Sequence, residues 1–438
     1  MPDPSSHSDP YALWRSANYR QYAGSWFLIT FSRRVEFIAI GVYLTKVFTK
    51  DQAALALGVM GFVQAIPVML LAIPGGQLAD RYNRHRVMMF CFFLGIVSSA
   101  CILALVLVGD ALQPIAAVGW LYGLLVVGTI GWALGGPARQ AMLPQLVPSE
   151  LFSIGVAWNS SVFYTASVTG PVVGGFLMAA FENLGPITST APAFALVLVC
   201  RIIAIAAIWR IRYRPAVVAK TSFTWESVVA GIRFVWGTKL ILATITLDLF
   251  AVLLGGATYL LPIYAKDILK VGPMGLGMLQ SADAIGAIFM AVFLAHRTPL
   301  KRAGATMLWA VAGFGAATIV FGVSQWFWLS LLMMFLIGVL DNISVVVRHT
   351  LVQMLTPDEM RGRVSAVNGV FIVASNDLGG MESGLTSWLV GPVWSVVGGG
   401  IGALLVVFGV SRLWPEVNQI GSLGSIQPIS PEEDDREA

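Results

Sequence analysis

The sequence predicts an all-α polytopic membrane protein with twelve transmembrane helices arranged as two consecutive six-helix repeats. Three observations predict this fold: a very apolar composition, apolar runs of membrane-spanning length, and residue identities between the halves at one constant spacing. Of the 438 residues, 57% are hydrophobic and 11% are charged, and the mean hydropathy is +0.78. Soluble proteins of this length are far more polar, so the composition indicates a membrane protein.

The apolar runs have the length of membrane-spanning helices. A helix needs about 20 apolar residues to cross a hydrocarbon core about 30 Å thick, because each residue adds about 1.5 Å. The alternating segments of about ten residues that build outer-membrane barrels are shorter. The predicted spans are residues 22–46, 53–79, 87–109, 113–137, 151–181, 188–209, 240–264, 275–296, 303–323, 326–350, 364–389 and 391–413.

The basic residues indicate the orientation of these spans. If the amino terminus is cytoplasmic, most of the 27 Lys and Arg residues lie in cytoplasmic segments. Only Lys46, Lys50, Lys266 and Lys270 lie on the opposite side. Cytoplasmic loops are enriched in Lys and Arg, so both termini are predicted to be cytoplasmic, in a bacterial inner membrane. The pI near 9.0 reflects this orientation and gives no reason to expect a nucleic-acid partner.

One long connection divides six spans from six. Its later part has apolar residues at helical spacing, including Ile232, Val235 and Trp236, which predicts a short amphipathic helix at the inner surface. The predicted domains are a cytoplasmic tail at 1–21, a six-helix bundle at 22–209, the linker at 210–239, a second bundle at 240–413 and an acidic cytoplasmic tail at 414–438.

The two halves share residue types at a constant offset of 209 positions, which indicates an internal repeat. The identical pairs are Arg139 and Arg348, Leu146 and Leu355, Pro148 and Pro357, Glu150 and Glu359, Ala157 and Ala366, Asn159 and Asn368, Gly170 and Gly379, and Gly175 and Gly384. Such agreement predicts two parallel repeats related by an axis along the membrane normal.

Charged residues inside the spans mark the candidate functional site. Each would cost about 2.5–3.5 kcal/mol at the centre of a lipid-facing helix, so they must face a polar cavity or one another. Arg33 and Glu36 share a helical face, whereas Arg34 points about 100° away. The candidate substrate-binding or proton-coupling residues are Arg33, Arg34, Glu36, Asp248, Asp283, Asp341, Asp377 and Glu382.

The excess of negative charge among these residues predicts that some of them bind protons. With Arg201 included, the groups would carry three positive and six negative charges, so some carboxylates are expected to be protonated near neutral pH. Asp341 and Asp377 are the first candidates for this role, followed by Glu36 and Asp248. An alternative for each residue is that it only locks two helices together. Arg201 is expected to be structural, at a position that packs outward.

The net charge also bears on the substrate. The excess of carboxylate favours a cationic or zwitterionic molecule, although Arg33 and Arg34 could receive an anion. Aromatic residues near these spans suit a bulky amphipathic ligand, although residues of this kind more often pack or face lipid. They include Trp26, Phe27, Phe31, Phe37, Trp158, Phe163, Tyr164 and Phe250.

A short basic stretch, Gly75–Arg86, lies between the second and third spans and is predicted to be a turn at the membrane surface. It resembles the signature loop that follows the second span in the major facilitator superfamily. Asn83 stands where the family pattern has a second glycine, a mild departure because Asn tolerates the left-handed conformation. The matching residues are Gly76, Asp80, Arg81, Arg84 and Arg86.

Two further stretches resemble parts of the same superfamily. The run Gly170-Pro171-Val172-Val173-Gly174-Gly175 in span 5 is similar to a motif associated with its antiporters. The segment from Asp341 to Gly379 resembles the exporter branch that includes the enterobactin exporter.

The resemblance implies a fold in which spans 1, 4, 7 and 10 line a central cavity, with 2, 5, 8 and 11 beside them. It also implies inner-gate residues and close helix packing. The implied gating residues are Gly76, Asp80, Arg81, Arg84, Arg86, Arg139, Arg348, Arg361 and Arg363. The implied packing residues are Gly170, Pro171, Gly174 and Gly175.

The function implied by the resemblance is secondary active transport, as proton-coupled efflux of a small amphipathic molecule such as a siderophore or a drug, by a monomer. An importer or an uncoupled facilitator of the same fold is the alternative. A membrane enzyme is a remote one, because the chain has no Gly-x-Ser-x-Gly or His-Glu-x-x-His pattern. No metal or other cofactor is expected. Cys91, Cys101 and Cys200 are interpreted as small core hydrophobes.

Overall fold

The structure, a computed structural model, describes residues 11–108, 112–185, 187–212, 225–296, 301–357 and 360–421. This part of the chain contains helices and no strand. In chain order the α-helices are α1 (Ala17–Val47), α2 (Lys50–Arg81), α3 (Arg84–Val108), α4 (Pro114–Leu146), α5 (Phe152–Ala180), α6 (Ala191–Trp209), α7 (Trp225–Gly237), α8 (Lys239–Gly255), α9 (Leu261–Ile263), α10 (Gly272–Ala295), α11 (Ala303–Val323), α12 (Phe327–Leu355), α13 (Arg361–Val390), α14 (Pro392–Leu413) and α15 (Glu416–Gln419).

Each of the twelve predicted spans corresponds to a long helical segment. Within the described residues, ten segments are long and apolar enough to cross a membrane. The seventh span continues from α8 through short turns to Ile268. The remaining two spans are α1 and α13. Helix α1 carries Arg33, Arg34 and Glu36, and helix α13 carries Asp377 and Glu382. The predicted all-α polytopic fold is confirmed.

Several helices run further than the sequence predicts. The predicted fourth span stops at Pro137, but α4 continues through Pro137 and Pro144 to Leu146. The tenth continues to Leu355 instead of ending at residue 350. Arg139 therefore lies inside α4, beyond the predicted end of the fourth span, and Arg348 lies inside α12, within the predicted tenth span.

The stretch Gly75–Arg86 is mostly helical and not a turn. The last turns of α2 extend to Arg81 and α3 begins at Arg84, so only Tyr82 and Asn83 connect the helices. Asn83 is not left-handed, because its backbone φ is not positive. Its side-chain Oδ1 accepts a hydrogen bond of 3.0 Å from the backbone N–H of His85, and so caps the amino terminus of α3.

The described helices form two compact units that do not coincide with the two sequence repeats. One unit comprises Met1–Ile40 and Leu70–Ser222, and the other comprises Gly41–Met69 and Phe223–Ala438. The end of α1 and the first half of α2 therefore belong to the unit of the second repeat. Residues 41–69 are called the 41–69 hairpin below.

The packing inside each unit agrees with the predicted repeat. In the first unit α3 packs against α4 and α6, and in the second unit α11 packs against α12 and α14. These are the third, fourth and sixth spans of each repeat. The predicted organisation into two six-helix repeats is confirmed by this equivalence.

The linker helix and the cysteines differ in part from expectation. The linker helix is α7, but it packs on α13 and α8 with Val235 buried, so it does not only lie on the membrane. Residues 213–224 and the acidic end of the chain from 422 lie outside the described residues. Cys91 and Cys200 are buried, whereas Cys101 is exposed, so the expectation of a core position was wrong for Cys101.

Candidate functional site

A buried ion pair connects three helices of the first unit. The Arg201 Nη2 atom on α6 lies 2.5 Å from Glu36 Oε2 on α1, and Arg201 Nη1 donates a 2.8 Å hydrogen bond to the Gly95 carbonyl on α3. Both side chains are buried, so the prediction that Arg201 packs outward was wrong. Glu36 binds this arginine, although Arg33 is its neighbour on the helical face.

Three arginines of the first unit lie over aromatic rings. The guanidinium carbon of Arg33 is 4.1 Å from the centre of the Trp132 ring, and that of Arg139 is 3.4 Å from the Trp26 ring. Arg34 lies 5.9 Å from the Phe163 ring. These distances are in the range of cation–π attraction. The six residues are called the aromatic–guanidinium cluster.

The rings of this cluster also stack on one another. Trp26 is nearly parallel to both Trp132 and Phe163, with ring centres 5.9 and 6.1 Å away. The three rings come from α1, α4 and α5, so the stack joins α5 to the two helices that hold the arginines. The sequence named Trp26 and Phe163 among many aromatic residues but missed Trp132, which lies seven residues before Arg139 on the same face of α4.

Close packing between α1 and α5 positions the cluster. A Cβ at Gly170 would lie 2.7 Å from Arg34 Cβ and 3.0 Å from the Phe31 carbonyl oxygen, and one at Gly174 would lie 3.4 Å from Val35 Cα. Pro171 and Gly175 are also buried in α5. The glycine run therefore sets how near the two helices approach.

The second unit contains a cavity lined by carboxylates. Its volume is about 180 Å³, and its lining includes Asp248 from α8, Asp283 from α10, and Asp341 and Arg348 from α12. Asn376 of α13 reaches the same cavity. We call it the acidic cavity, because three acids and one arginine line it.

One acid of the cavity is neutralised by an ion pair. Arg348 Nη1 binds Asp248 Oδ1, and the two residues are 2% and 7% exposed. Removing either partner would leave a buried charge, so the pair fixes α12 to α8. The sequence did not predict that Asp248 pairs with Arg348.

The other two acids proposed from the sequence lie on α13. The Tyr259 hydroxyl donates a 2.8 Å hydrogen bond to Asp377 Oδ1. Glu382 lies within 3.5 Å of the Ser383 hydroxyl, which donates to it. Neither is among the residues that line the acidic cavity, so this cavity brings together three of the five intramembrane carboxylates predicted in the second unit and does not include Asp377 or Glu382.

The 41–69 hairpin packs against this part of α13. A Cβ at Gly61 would lie 2.5 Å from the Asp377 carbonyl oxygen, and one at Gly380 would lie 2.5 Å from the Tyr259 ring. At Gly58 a Cβ would lie 2.9 Å from Gly384 Cα. Helices that approach this closely leave no room for side chains at these positions.

Two of the predicted gating arginines donate hydrogen bonds to backbone carbonyls near helix ends. Arg84 donates to the Ala141 carbonyl at 3.0 Å, near the end of α4, and Arg361 donates to the Gln353 carbonyl at 3.2 Å, near the end of α12. The exposed members are Arg81, Arg86, Arg361 and Arg363. The side chain of Asp80 lies outside the described residues.

One glycine of the basic stretch, Gly75, lies close to another helix. A Cβ at Gly76 would meet nothing within 4 Å, whereas one at Gly75 would lie 3.1 Å from the Ala133 carbonyl oxygen of α4. The close approach of α2 and α4 therefore depends on Gly75.

A family model described as a transmembrane secretion effector matches residues 31–425. The chain belongs to this family. Transmembrane secretion effectors are major facilitator proteins, so the resemblance drawn from the sequence is confirmed, and the chain is a multi-pass membrane transporter of small molecules.

Curated relatives of this secretion effector are exporters. The chain is 28% identical over 353 residues to the multidrug efflux pump Tap of Mycolicibacterium fortuitum, which covers 78% of this chain and 83% of the relative. It is 25% identical over 333 residues to the enterobactin exporter EntS of Shigella dysenteriae, covering 76% and 77%. The prediction of a secondary transporter of the efflux type is confirmed.

Solved structures share the fold of this effector. A bacterial homologue of the human lysosomal transporter Spinster has a TM-score of 0.71 at 15% identity, over 94% of this chain and 99% of that one. A D-xylose–proton symporter has a TM-score of 0.70 at 14% identity, over 94% and 100%.

Proposed function

We propose that the protein expels a small amphipathic molecule from a bacterium, in exchange for protons, by alternating access. The multidrug pump and the enterobactin exporter among its relatives favour a drug-like or siderophore-like substrate. The basic segments favour cytoplasmic termini in the inner membrane. We propose a monomer, since each repeat supplies its own set of intramembrane charges.

The acidic cavity carries the proposal of proton coupling. Asp283 and Asp341 line it together with the ion pair that Arg348 makes with Asp248. Two ionised carboxylates that share a cavity of this size repel each other, and a proton bound by either relieves that repulsion. Asp341 and Asp283 are therefore the proposed proton-carrying pair, with Asp248 holding the arginine.

The contacts of the 41–69 hairpin support alternating access. Glycines face each other at Gly58 and Gly384, and the Lys266 ammonium binds the Thr45 carbonyl. Surfaces that meet mainly through small residues can separate without breaking large interlocked side chains. The hydrogen bond between Tyr259 and Asp377 lies beside this surface. We propose that Asp377 of α13 senses whether the surface is closed.

Transport into inverted membrane vesicles tests the proposal. An imposed proton gradient should drive uptake of at least one compound in a set of siderophores, cationic drugs and divalent metal ions. Asp341→Asn should abolish gradient-driven uptake but retain substrate exchange without a gradient, since the amide cannot carry the proton. Glu416→Gln, which changes an exposed acid of α15, is the control and should transport normally.

Two results would contradict this function. Uptake of the substrate by the wild-type protein without a proton gradient would indicate the alternative, a facilitator. Accumulation that requires a gradient of the opposite sign would indicate an importer. Full gradient-driven uptake by Asp341→Asn would remove Asp341 from the coupling residues.

A further inference from the structure

We infer that the aromatic–guanidinium cluster of the first unit is a ligand site for an anionic, aromatic molecule. The inference rests on the proposed function, because the ligand would be the substrate. It deepens that function by naming the chemistry of the substrate and the half of the chain that recognises it.

The cluster presents both positive charge and π surface. Arg33, Arg34 and Arg139 each lie over a ring, and the three rings are stacked. Trp132 and Phe163 are only half-buried. A planar ligand can extend such a stack, and an anionic group on its edge would meet guanidinium donors.

Buried polar atoms without partners mark the same helix faces. Trp26 Nε1, Thr30 Oγ1, Asn159 Oδ1 and Ser167 Oγ make no hydrogen bond within the described part of the chain. Trp26, Thr30 and Ser167 are each 5% exposed or less. Buried polar groups are nearly always hydrogen-bonded, and each one left unsatisfied costs about 1–3 kcal/mol. Four such atoms point to a bound partner.

The register of these residues places them with the cluster. Trp26, Thr30 and Arg33 follow one another at four and three residues along α1, so they share one face. On α5, Asn159, Phe163 and Ser167 are four residues apart and also share a face. The unsatisfied atoms therefore border the rings and guanidinium groups.

The chemistry of the donors selects an anion. The indole N–H and the three guanidinium groups can only donate hydrogen bonds, the two hydroxyls can donate or accept, and only the Asn159 oxygen is restricted to accepting. A ligand rich in acceptors satisfies this set, and a cationic one would add positive charge to three arginines. A carboxylate or sulfonate carried on an aromatic ring combines both requirements.

The repeat provides an independent comparison. Arg139 and Arg348 occupy equivalent positions of α4 and α12, yet Arg139 lies on the Trp26 ring and Arg348 binds Asp248. Among the described residues, the first unit places its arginine over a π face, and the second pairs its arginine with a carboxylate. Proton binding and substrate binding are assigned to different halves.

Three probes of one shape and different charge test the inference. Isothermal titration of the purified full chain would compare 2-naphthoate, 2-naphthalenemethanol and 2-naphthylmethylammonium. We expect 2-naphthoate to bind at least about tenfold more tightly than the ammonium compound, since a charge-assisted contact contributes roughly that factor.

Matched variants locate the site. Trp132→Leu should weaken 2-naphthoate binding about tenfold, whereas Trp120→Leu, on the same helix but 67% exposed, should not. Arg139→Gln should weaken binding and Arg139→Lys should restore part of it. If Trp132→Leu unfolds, Phe163→Leu replaces it, with Phe176→Leu as the control at a 55% exposed position.

Two outcomes would overturn the inference: binding of the ammonium probe as tight as that of 2-naphthoate, or equal losses in Trp132→Leu and Trp120→Leu. The proposed function fails separately. Proton-driven uptake of a cationic drug without 2-naphthoate binding would remove the inference alone, whereas 2-naphthoate binding without any gradient-driven transport would remove proton coupling alone.

Discussion

Glu36 and Arg201 show how one ion pair connects several helices of a membrane helix bundle. The pair joins α1 to α6, and the arginine also binds α3 through the Gly95 carbonyl. From the sequence, Glu36 has a nearer basic neighbour in Arg33 and a more distant one in Arg201. Which arginine it meets depends on the rotation of α6, and no local pattern records that rotation.

Breaking this pair on one side is predicted to destabilise the protein. Glu36→Gln leaves the Arg201 charge buried and should cost about 3–5 kcal/mol, whereas the double change Glu36→Leu with Arg201→Met should cost much less. The measurement is the thermal unfolding of the purified protein in detergent. A single variant as stable as the double variant would show that the pair is not buried in the membrane.

Arg139 and Arg348 show a second limit of prediction from the sequence at the scale of single residues. Both were expected near the surface, because a basic residue close to a predicted helix end is hard to distinguish from a loop residue. Arg348 is buried and Arg139 is half-buried, and Arg139 lies in the part of α4 that continues beyond the predicted span to Leu146. The repeat at an offset of 209 did signal that the two positions are equivalent.

At the scale of elements, glycine decides which helices approach closely. The antiporter-like run of α5 predicted such an approach, and Gly170 and Gly174 lie against α1. In α2 the resemblance implied a gating role for Gly76, whereas the close contact with α4 is made by its neighbour Gly75. Adjacent residues point about 100° apart, so a motif locates a contact along a helix without fixing its face.

A methyl group added at Gly170 should disturb this packing. Its position 2.7 Å from Arg34 Cβ and 3.0 Å from a backbone oxygen requires α1 or α5 to move, so Gly170→Ala should lower the melting temperature and 2-naphthoate binding together. The matched control is Gly123→Ala in α4, where a Cβ meets nothing within 4 Å. That change should be neutral or stabilise by up to about 1 kcal/mol. Equal effects of both would contradict the packing role.

At the scale of the whole molecule, repeats and compact units divide the chain differently. Composition and the offset of 209 were sufficient to predict twelve spans and two six-helix repeats. They could not show that the 41–69 hairpin belongs to the unit of the second repeat, because both units consist of equally apolar helices. Burial of one apolar helix against another leaves no trace in the sequence beyond small residues such as Gly58 and Gly384.

Splitting the chain in the linker tests this division. Residues 223–438 expressed alone should be degraded, because the glycine surface of α13 and the Tyr259 ring would lose the 41–69 hairpin. Co-expression with residues 1–222 should restore a stable complex. Gly58→Trp in the first fragment should prevent this rescue and Gly123→Trp should not. Stable accumulation of 223–438 alone would show that the hairpin is dispensable.

The contact between Gly58 and Gly384 also constrains how the protein can change over generations. The two positions lie in different sequence repeats, yet a side chain gained at one would collide with the backbone at the other. Neither repeat can therefore drift freely at this point after duplication. A substitution that enlarges the side chain at one position is tolerated only together with a compensating shift of the partner helix.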